Sequence, residues 1–248
     1  MIRCNTEIRF YGLRRSGNHA IINWLIPMLG GVVCHINDAQ LPLRFYKGPK
    51  PLRRFAGDPS STIISYENVD LTKDTNQFDV RSEERRFIML LRDPYNLAAS
   101  LLQNQYALEV SNFRVPMYNI KKEWKQYARE FLSHTNYLPT NTVKINFTKW
   151  FTDEDYRILI ATELGLEYDD VGLNKVSGYG GGSSFDSTKL DGEAQKMDLL
   201  NRWKHIEGEG IHERFAKLID DSELAELSYE IFGPIMEEEK DENNCCFS

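Results

Sequence analysis

The sequence predicts a three-layer α/β domain in which a central, largely parallel sheet is covered by helices on both faces. Three observations point there. Runs of strand length, rich in β-branched and aromatic residues, occur at 7–11, 32–35, 62–66, 87–91 and 142–147. Segments with helical apolar spacing separate the later runs, and two of the strands lead directly into a helix start.

The first strand carries Ile8, Phe10 and Tyr11 and ends in the polar turn Gly12-Leu13-Arg14-Arg15-Ser16-Gly17. Ala20, Ile21, Trp24, Leu25 and Met28 then form one face of a helix that Pro27 is expected to kink or end early. After 87–91, Asp93 and Pro94 supply a capping acid and a first-turn proline to a helix over 94–109. A further helix over 121–132 presents Trp124, Tyr127, Ala128 and Phe131. The glycine- and serine-rich stretch 175–192 reads as a long surface loop able to close over a ligand. Terminal helices are expected over 193–204, 211–220 and 223–232, with Gly233-Pro234 as a stop. The segment 44–61 reads as an inserted loop that contributes substrate contacts.

Composition narrows the function classes. The chain has 248 residues, 41% hydrophobic and 27% charged, with a net charge of −7, a globular rather than a disordered balance. No composition break marks a second unit, so residues 1–236 are expected to form one domain and 237–248 an acidic, disordered tail. Arg44, Lys47, Lys50, Arg53 and Arg54 make a local basic patch, yet the overall sign argues against nucleic-acid binding. No apolar window is long enough for a transmembrane span and no secretory signal is present, so a cytoplasmic location is expected. The cysteines at 4, 34, 245 and 246 lack zinc-ligand spacing and fit a reducing compartment, and no metal site is expected. The terminal Cys245-Cys246-Phe247-Ser248 has the form of a prenylation box, but its upstream neighbours are acidic. The sequence does not give the oligomeric state.

The turn at 12–17 has the G-x-x-x-x-G spacing of a P-loop and lies between a strand and a helix, so the domain is P-loop-like. Its glycines permit backbone amides to surround a phosphate, and the helix adds its positive end. Nucleotide triphosphatases follow the second glycine with Lys and a magnesium-binding Ser or Thr; here Asn18 and His19 stand instead. Arg15 can supply charge, but a guanidinium cannot act as a metal ligand.

Arg15-Ser16-Gly17-Asn18-His19 resembles the phosphate loop of the PAPS-dependent sulfotransferases, in which strand, basic residue, Ser-Gly, two short polar residues and helix follow one another. The family's paired threonines and tryptophan are replaced here by Asn18, His19 and Ala20. Arg92-Asp93-Pro94 after a hydrophobic strand, with Ser100 on the next helix, is similar to the family's 3′-phosphate site. An Arg fork and a hydroxyl both donate to phosphate oxygens without a metal. Gly182-Ser183-Ser184-Phe185 and Asn201-Arg202-Trp203-Lys204 resemble the family's late loop and Arg-Trp segment, although Asp186 stands where a basic residue is often found.

The resemblance runs from about residue 7 to 232 and implies 3′-phosphoadenosine 5′-phosphosulfate (PAPS) as the cofactor and PAP as its product. It implies a small-molecule or saccharide acceptor bearing an alcohol, phenol or amine. The cofactor contacts it implies are Arg14, Arg15, Ser16, Gly17, Asn18 and His19 from the loop, Arg92 and Ser100, and Ser184, Phe185 and Arg202 from the late segments. Arg15 is then the group that stabilises charge on the departing oxygen.

Two residues compete for the role of base. Glu67 lies just past the strand 62–66, where carboxyl ends of strands face the ligand crevice, at a position where relatives carry histidine or glutamate. An acid there is raised in pKa by an anionic cofactor and lowered by Arg14 or Arg15. His19 carries an imidazole, the side chain suited to acid–base work, and follows the loop, which equally suits phosphate binding. His35 has no motif support and is read as structural or exposed. Phe45, Tyr46, Tyr106, Phe113, Tyr118 and Trp124 are the candidate walls of an acceptor pocket. The competing functions are a magnesium-dependent, P-loop kinase-like enzyme and a non-catalytic nucleotide-binding protein.

Overall fold

A computed structural model describes residues 2–39, 58–73, 80–110, 120–178 and 182–236, apart from the side chains of 106–110. The expected loop contacts at 44–57, the tail from 237, Cys245, Cys246, Phe45, Tyr46, Phe113, Tyr118 and the Tyr106 side chain lie outside this set. Among the described residues, β1 (Ile2–Gly12), β2 (Val33–Ile36), β3 (Ser61–Glu67), β4 (Val80–Leu91) and β5 (Val143–Asn146) form one sheet in the order β2-β3-β1-β4-β5. Every pairing is parallel.

The middle strands are apolar on both sides, as a doubly covered sheet requires. Ile8, Phe10, Ile63, Ile88, Leu90 and Ile145 point to one face, where they pack on α1 (Asn18–Leu29), α4 (Phe147–Thr152) and α5 (Glu154–Glu163). The alternate residues Tyr11, Ile64, Tyr66, Met89 and Leu91 point to the other, covered by α2 (Pro94–Val110), α3 (Ile120–Phe131), α6 (Ile211–Ile219) and α7 (Ser222–Phe232). The three predicted layers are therefore present. No helix among the described residues is long and apolar enough to cross a membrane.

Several elements differ from the sequence reading, each for a local reason. Residues 193–204 are not a helix but two short 3₁₀ turns, Ala194–Lys196 and Arg202–His205. The carbonyls of Leu199 and Leu200, which a helix would use internally, accept instead from Arg92 Nη2 (2.5 Å) and Asn96 Nδ2 (2.8 Å). The last strand stops before Phe147, because the Asn146 side chain accepts from the Lys149 amide at 3.1 Å and so caps α4. Asp153 caps α5 in the same way, accepting from the Tyr156 amide at 3.1 Å. Pro27 is tolerated two residues before the end of α1, where its carbonyl accepts from Gly30 N. Trp124 is wholly buried in the core, its Nε1 donating to the Arg92 carbonyl at 2.9 Å, and forms no pocket wall.

The middle of β1 carries a charged cluster inside the sheet. Glu7 is fully buried and accepts from Arg9 Nε (2.8 Å), Arg85 Nε (2.9 Å) and Ser82 Oγ (3.0 Å). Breaking a buried ion pair by removing one partner costs about 3–5 kcal/mol, because the other charge stays desolvated. Glu7→Ala is thus expected to lower the unfolding free energy by about that amount, read from urea denaturation followed by circular dichroism. A loss within experimental error would show that Arg9 and Arg85 do not depend on this carboxylate.

Candidate functional site

Parallel strands bring their carboxyl ends to one edge: Gly12 is in register with Glu67 on one side and Leu90 on the other. The chain leaving β1 continues into α1 on one face, and the chain leaving β4 enters α2 on the opposite face. Such a divergence opens a crevice at the strand ends. Here it holds a cavity of about 530 Å³, lined by the loop after β1, Glu67, Arg92, Ser100, residues 175–177, Gly182, Ser183 and parts of 194–202.

The loop closes tightly. Ser16 N donates to Leu13 O at 3.1 Å, and Arg15 (φ 66°) and Gly17 (φ 95°) both adopt left-handed backbone. A Cβ on Gly17 would lie 2.3 Å from the Phe147 ring, and one on Gly12 would lie 2.1 Å from Asn18 Oδ1, so both glycines of the motif are sterically required. No side chain caps the start of α1, and Gly17, Asn18 and His19 present that positive helix end to the cavity.

Three arginines converge on this space. Arg92 is 1% exposed and is held by carbonyls, donating to Arg15 O (3.2 Å) and Leu199 O (2.5 Å), while its plane lies over Phe147. It has no carboxylate in salt-bridge contact among the described residues. Its neighbour Asp93 is committed to α2, accepting from the Asn96 amide at 2.8 Å. Arg202 donates to Ser100 Oγ (3.3 Å) and Ser183 Oγ (2.8 Å), with Asp186 at 3.6 Å. Arg15 donates to Gly182 O (3.1 Å) and to Ser184 Oγ, and Ser184 in turn meets Ser100 Oγ at 3.0 Å.

Burial disfavours the charged form of all three. It pulls Arg92 down to about 10, with Asp93 opposing and Arg15 adding to the fall. Arg202 falls to about 9 through burial and then the charge of Arg92, against Asp186. Arg15 is lowered by burial, with Glu67 opposing. Among the described residues, the buried donors Ser16 Oγ, Arg92 Nε and Arg202 Nε have no hydrogen-bond partner, nor has the acceptor Asn18 Oδ1. Clustered cations and unused donors fit a polyanion with several phosphate-type oxygens.

Beside this cluster sits a carboxylate. Asn18 Nδ2 donates to Leu13 O (3.1 Å) and to Glu67 Oε1 (3.1 Å), and Arg14 Nε stands 3.4 Å from Glu67 Oε2. His19 Nε2 meets Asn37 Oδ1 at 2.9 Å, and its ring packs edge-on against His35 at 5.9 Å between centroids.

The structure thus gathers Arg14, Arg15, Gly17, Asn18, His19, Glu67, Arg92, Ser100 and Arg202 around one cavity. Ser16 is fully buried within the loop, and Ser184 reaches the cluster through Arg15 and Ser100. Phe185 is not on the cavity wall: the Ser183–Ser187 bridge turns it onto the Arg202 guanidinium, 5.1 Å from the ring centroid, and onto the α2-side core. The aromatic residue on the wall is Phe147, which sequence reading assigned to the end of a strand. Lys175, Met197 and Leu199 also line the cavity, and nothing in their local sequence announces it.

No protein-family model and no curated protein matches the sequence. Solved structures do match the fold. The chain is similar to the mouse sulfotransferase SULT7A1 complexed with PAP, at 12% identity over 91% of this chain and 89% of that one, with a TM-score of 0.50. It is also similar to the sulfotransferase domain from the Synechococcus PCC 7002 olefin synthase, at 14% identity over 93% and 95% of the two chains, with a TM-score of 0.51. At these identities the likeness is one of architecture, and the chain has a sulfotransferase-like fold.

His35 makes the acid side of stability testable. Burial first, then the neighbouring His19, push its imidazole down to about 4, and it stays neutral beside Ser65 Oγ at 3.1 Å. In the unfolded chain it takes a proton near its ordinary value of 6.5. The unfolded state therefore binds more protons between these values, and stability present above pH 6.5 is lost as pH falls toward 4. The expected loss is roughly 3 kcal/mol. His35→Gln should flatten this part of the stability-pH curve measured by urea denaturation, and an unchanged slope would refute the assignment.

Proposed function

We propose that this chain is a PAPS-dependent sulfotransferase that moves a sulfuryl group to a hydroxyl or amine of a small-molecule or saccharide acceptor. The observation that carries this reading is the convergence of Arg15, Arg92 and Arg202 on one crevice beside Glu67, on a sulfotransferase-like fold. When bound, PAPS supplies the sulfuryl group and departs as PAP. Residues 1–236 are proposed to act as one domain.

The loop around Ser16 and Gly17 and the start of α1 are suited to hold the phosphate nearest the reacting centre. Arg92, Ser100 and Arg202 are suited to hold the second phosphate, because each has a donor directed into the cluster and the buried Nε atoms of both arginines remain unused. Ser184, which links Arg15 to Ser100, completes that shell. Arg15 balances the charge on the departing oxygen. Glu67, fixed through both carboxylate oxygens by Asn18 and Arg14, takes the acceptor's proton. His19, engaged with Asn37, is the comparison residue for that role.

Glu67→Gln keeps the Asn18 contact but cannot accept the proton, so turnover is expected to fall by about 10²–10⁴ while PAP affinity is retained. Transfer of labelled sulfate from PAPS to an acceptor panel measures this, with His19→Ala alongside; near-normal turnover of the Gln variant would remove Glu67 as base. Arg92→Ala is expected to weaken PAP binding by about 1.5–3 kcal/mol, because it removes a charged multi-donor contact. Calorimetry reads this directly, and unchanged affinity would overturn the phosphate assignment.

A further inference from the structure

Arg14 touches a second acid besides the proposed base. Its guanidinium lies between two carboxylates at unequal distances: Nη2 donates to Asp38 Oδ2 at 2.5 Å, whereas Nε stands 3.4 Å from Glu67 Oε2. The nearer acid wins the closer ion pair. This arrangement is built by backbone that is costly to form. Asp38 (φ 49°) and Asn68 (φ 56°), one after β2 and one after β3, both take the left-handed conformation that a short polar side chain tolerates best.

The Asp38 turn is pinned to β3, and Asn68 to the end of β1 and to α3. Asp38 N donates to Ser65 Oγ at 3.3 Å, and Ala39 N donates to Ser65 O at 2.8 Å. Asn68 N donates to Gly12 O (3.1 Å), and its side chain accepts from Arg14 N (2.6 Å) and donates to Glu123 Oε2 (2.5 Å). Main chain and side chain of Arg14 are therefore anchored from separate strands. A guanidinium freed from Asp38 has the fork geometry to close onto Glu67 with two donors and hold it as a spent carboxylate.

We propose that Asp38 is a positioning residue: by taking Arg14 Nη2, it keeps that guanidinium from closing onto Glu67 and leaves the Glu67 carboxylate open to a proton. The proposal rests on the reading of Glu67 as the base. The other groups beside Glu67 are Arg15 from the same loop, Asn18 from α1 and Tyr127 from α3, with His19 and Arg92 elsewhere on the same cavity wall.

The test is a carbon-13 NMR titration of the Glu67 side-chain carboxyl, which needs no turnover. In Asp38→Asn, Arg14 turns to Glu67, and the titration midpoint is expected to fall by about one pH unit. In Arg14→Met, or Arg14→Gln if the first fails to fold, the cation is lost and the midpoint is expected to rise by about the same amount. Shifts of opposite sign are expected, and because loss of the Asp38 charge by itself also lowers the midpoint, the signature is the coupling: in the Arg14→Met background Asp38→Asn should shift the midpoint much less than in the wild type, and an equal shift would overturn the proposal. Shifts of the same sign, or no shift in Asp38→Asn, would overturn the proposal. With PAPS and an acceptor, the acid limb of kcat/KM should move with each midpoint, and Asp38→Glu should restore the normal limb. An inert wild type would count against sulfuryl transfer and leave the titration to decide the role of Asp38.

Discussion

Arg92 carries a positive charge into a place where water does not follow, and it is held there by two backbone carbonyls and a ring face rather than by an acid. Desolvating a guanidinium is expensive, and the cost rises with Arg15 and Arg202 near enough to disfavour one another's charge. The fold sustains this because Arg92 follows directly on the buried end of β4 and its carbonyl is held by Trp124. The segment between the 3₁₀ turns after residue 193 serves that placement: it gives up helical hydrogen bonds to supply Leu199 O to Arg92 and Leu200 O to Asn96.

The same constraint explains the division of labour at the site. Repelling cations favour an anionic ligand in the crevice, and a neighbouring carboxylate would quench them. Asp93 is taken up by the start of α2, and Glu67 is kept at the side of Arg14 and Asn18, away from Arg92 and Arg202. Glu67 is felt by Arg15 and Asp186 stands 3.6 Å from Arg202, but among the described residues no carboxylate is ion-paired to Arg92, an arrangement in which electrostatic stabilisation and proton transfer can both operate.

Strain is concentrated in the same region. Arg15, Asp38 and Asn68 are non-glycine residues in left-handed backbone, and all three flank the ends of β1, β2 or β3. Each is secured by contacts to another strand or loop, so the cost is met by the rigid sheet. The glycines of the loop play the complementary part, since Phe147 and Asn18 occupy the space a side chain would need.

The layers and the phosphate loop were legible because they follow from short-range rules. β-branched runs, helical apolar spacing, Asp93-Pro94 and the two loop glycines act within a few residues of themselves. Glu67, Arg92 and Ser100 could be nominated because parallel strands deliver their carboxyl ends to one edge. What the chain order alone did not decide was which distant segments meet there. Local patterns put Phe147 at a strand end, 193–204 in a helix and Trp124 on a pocket wall, and long-range packing places all three differently. The contrast between Asp38 and Glu67 as partners of Arg14 also had no local sign. Periodicity, capping and turn chemistry are properties of neighbours along the chain and belong to the sequence. Which carbonyl satisfies Arg92, and which acid draws Arg14 closest, are set by long-range packing, and only the tertiary structure decides them.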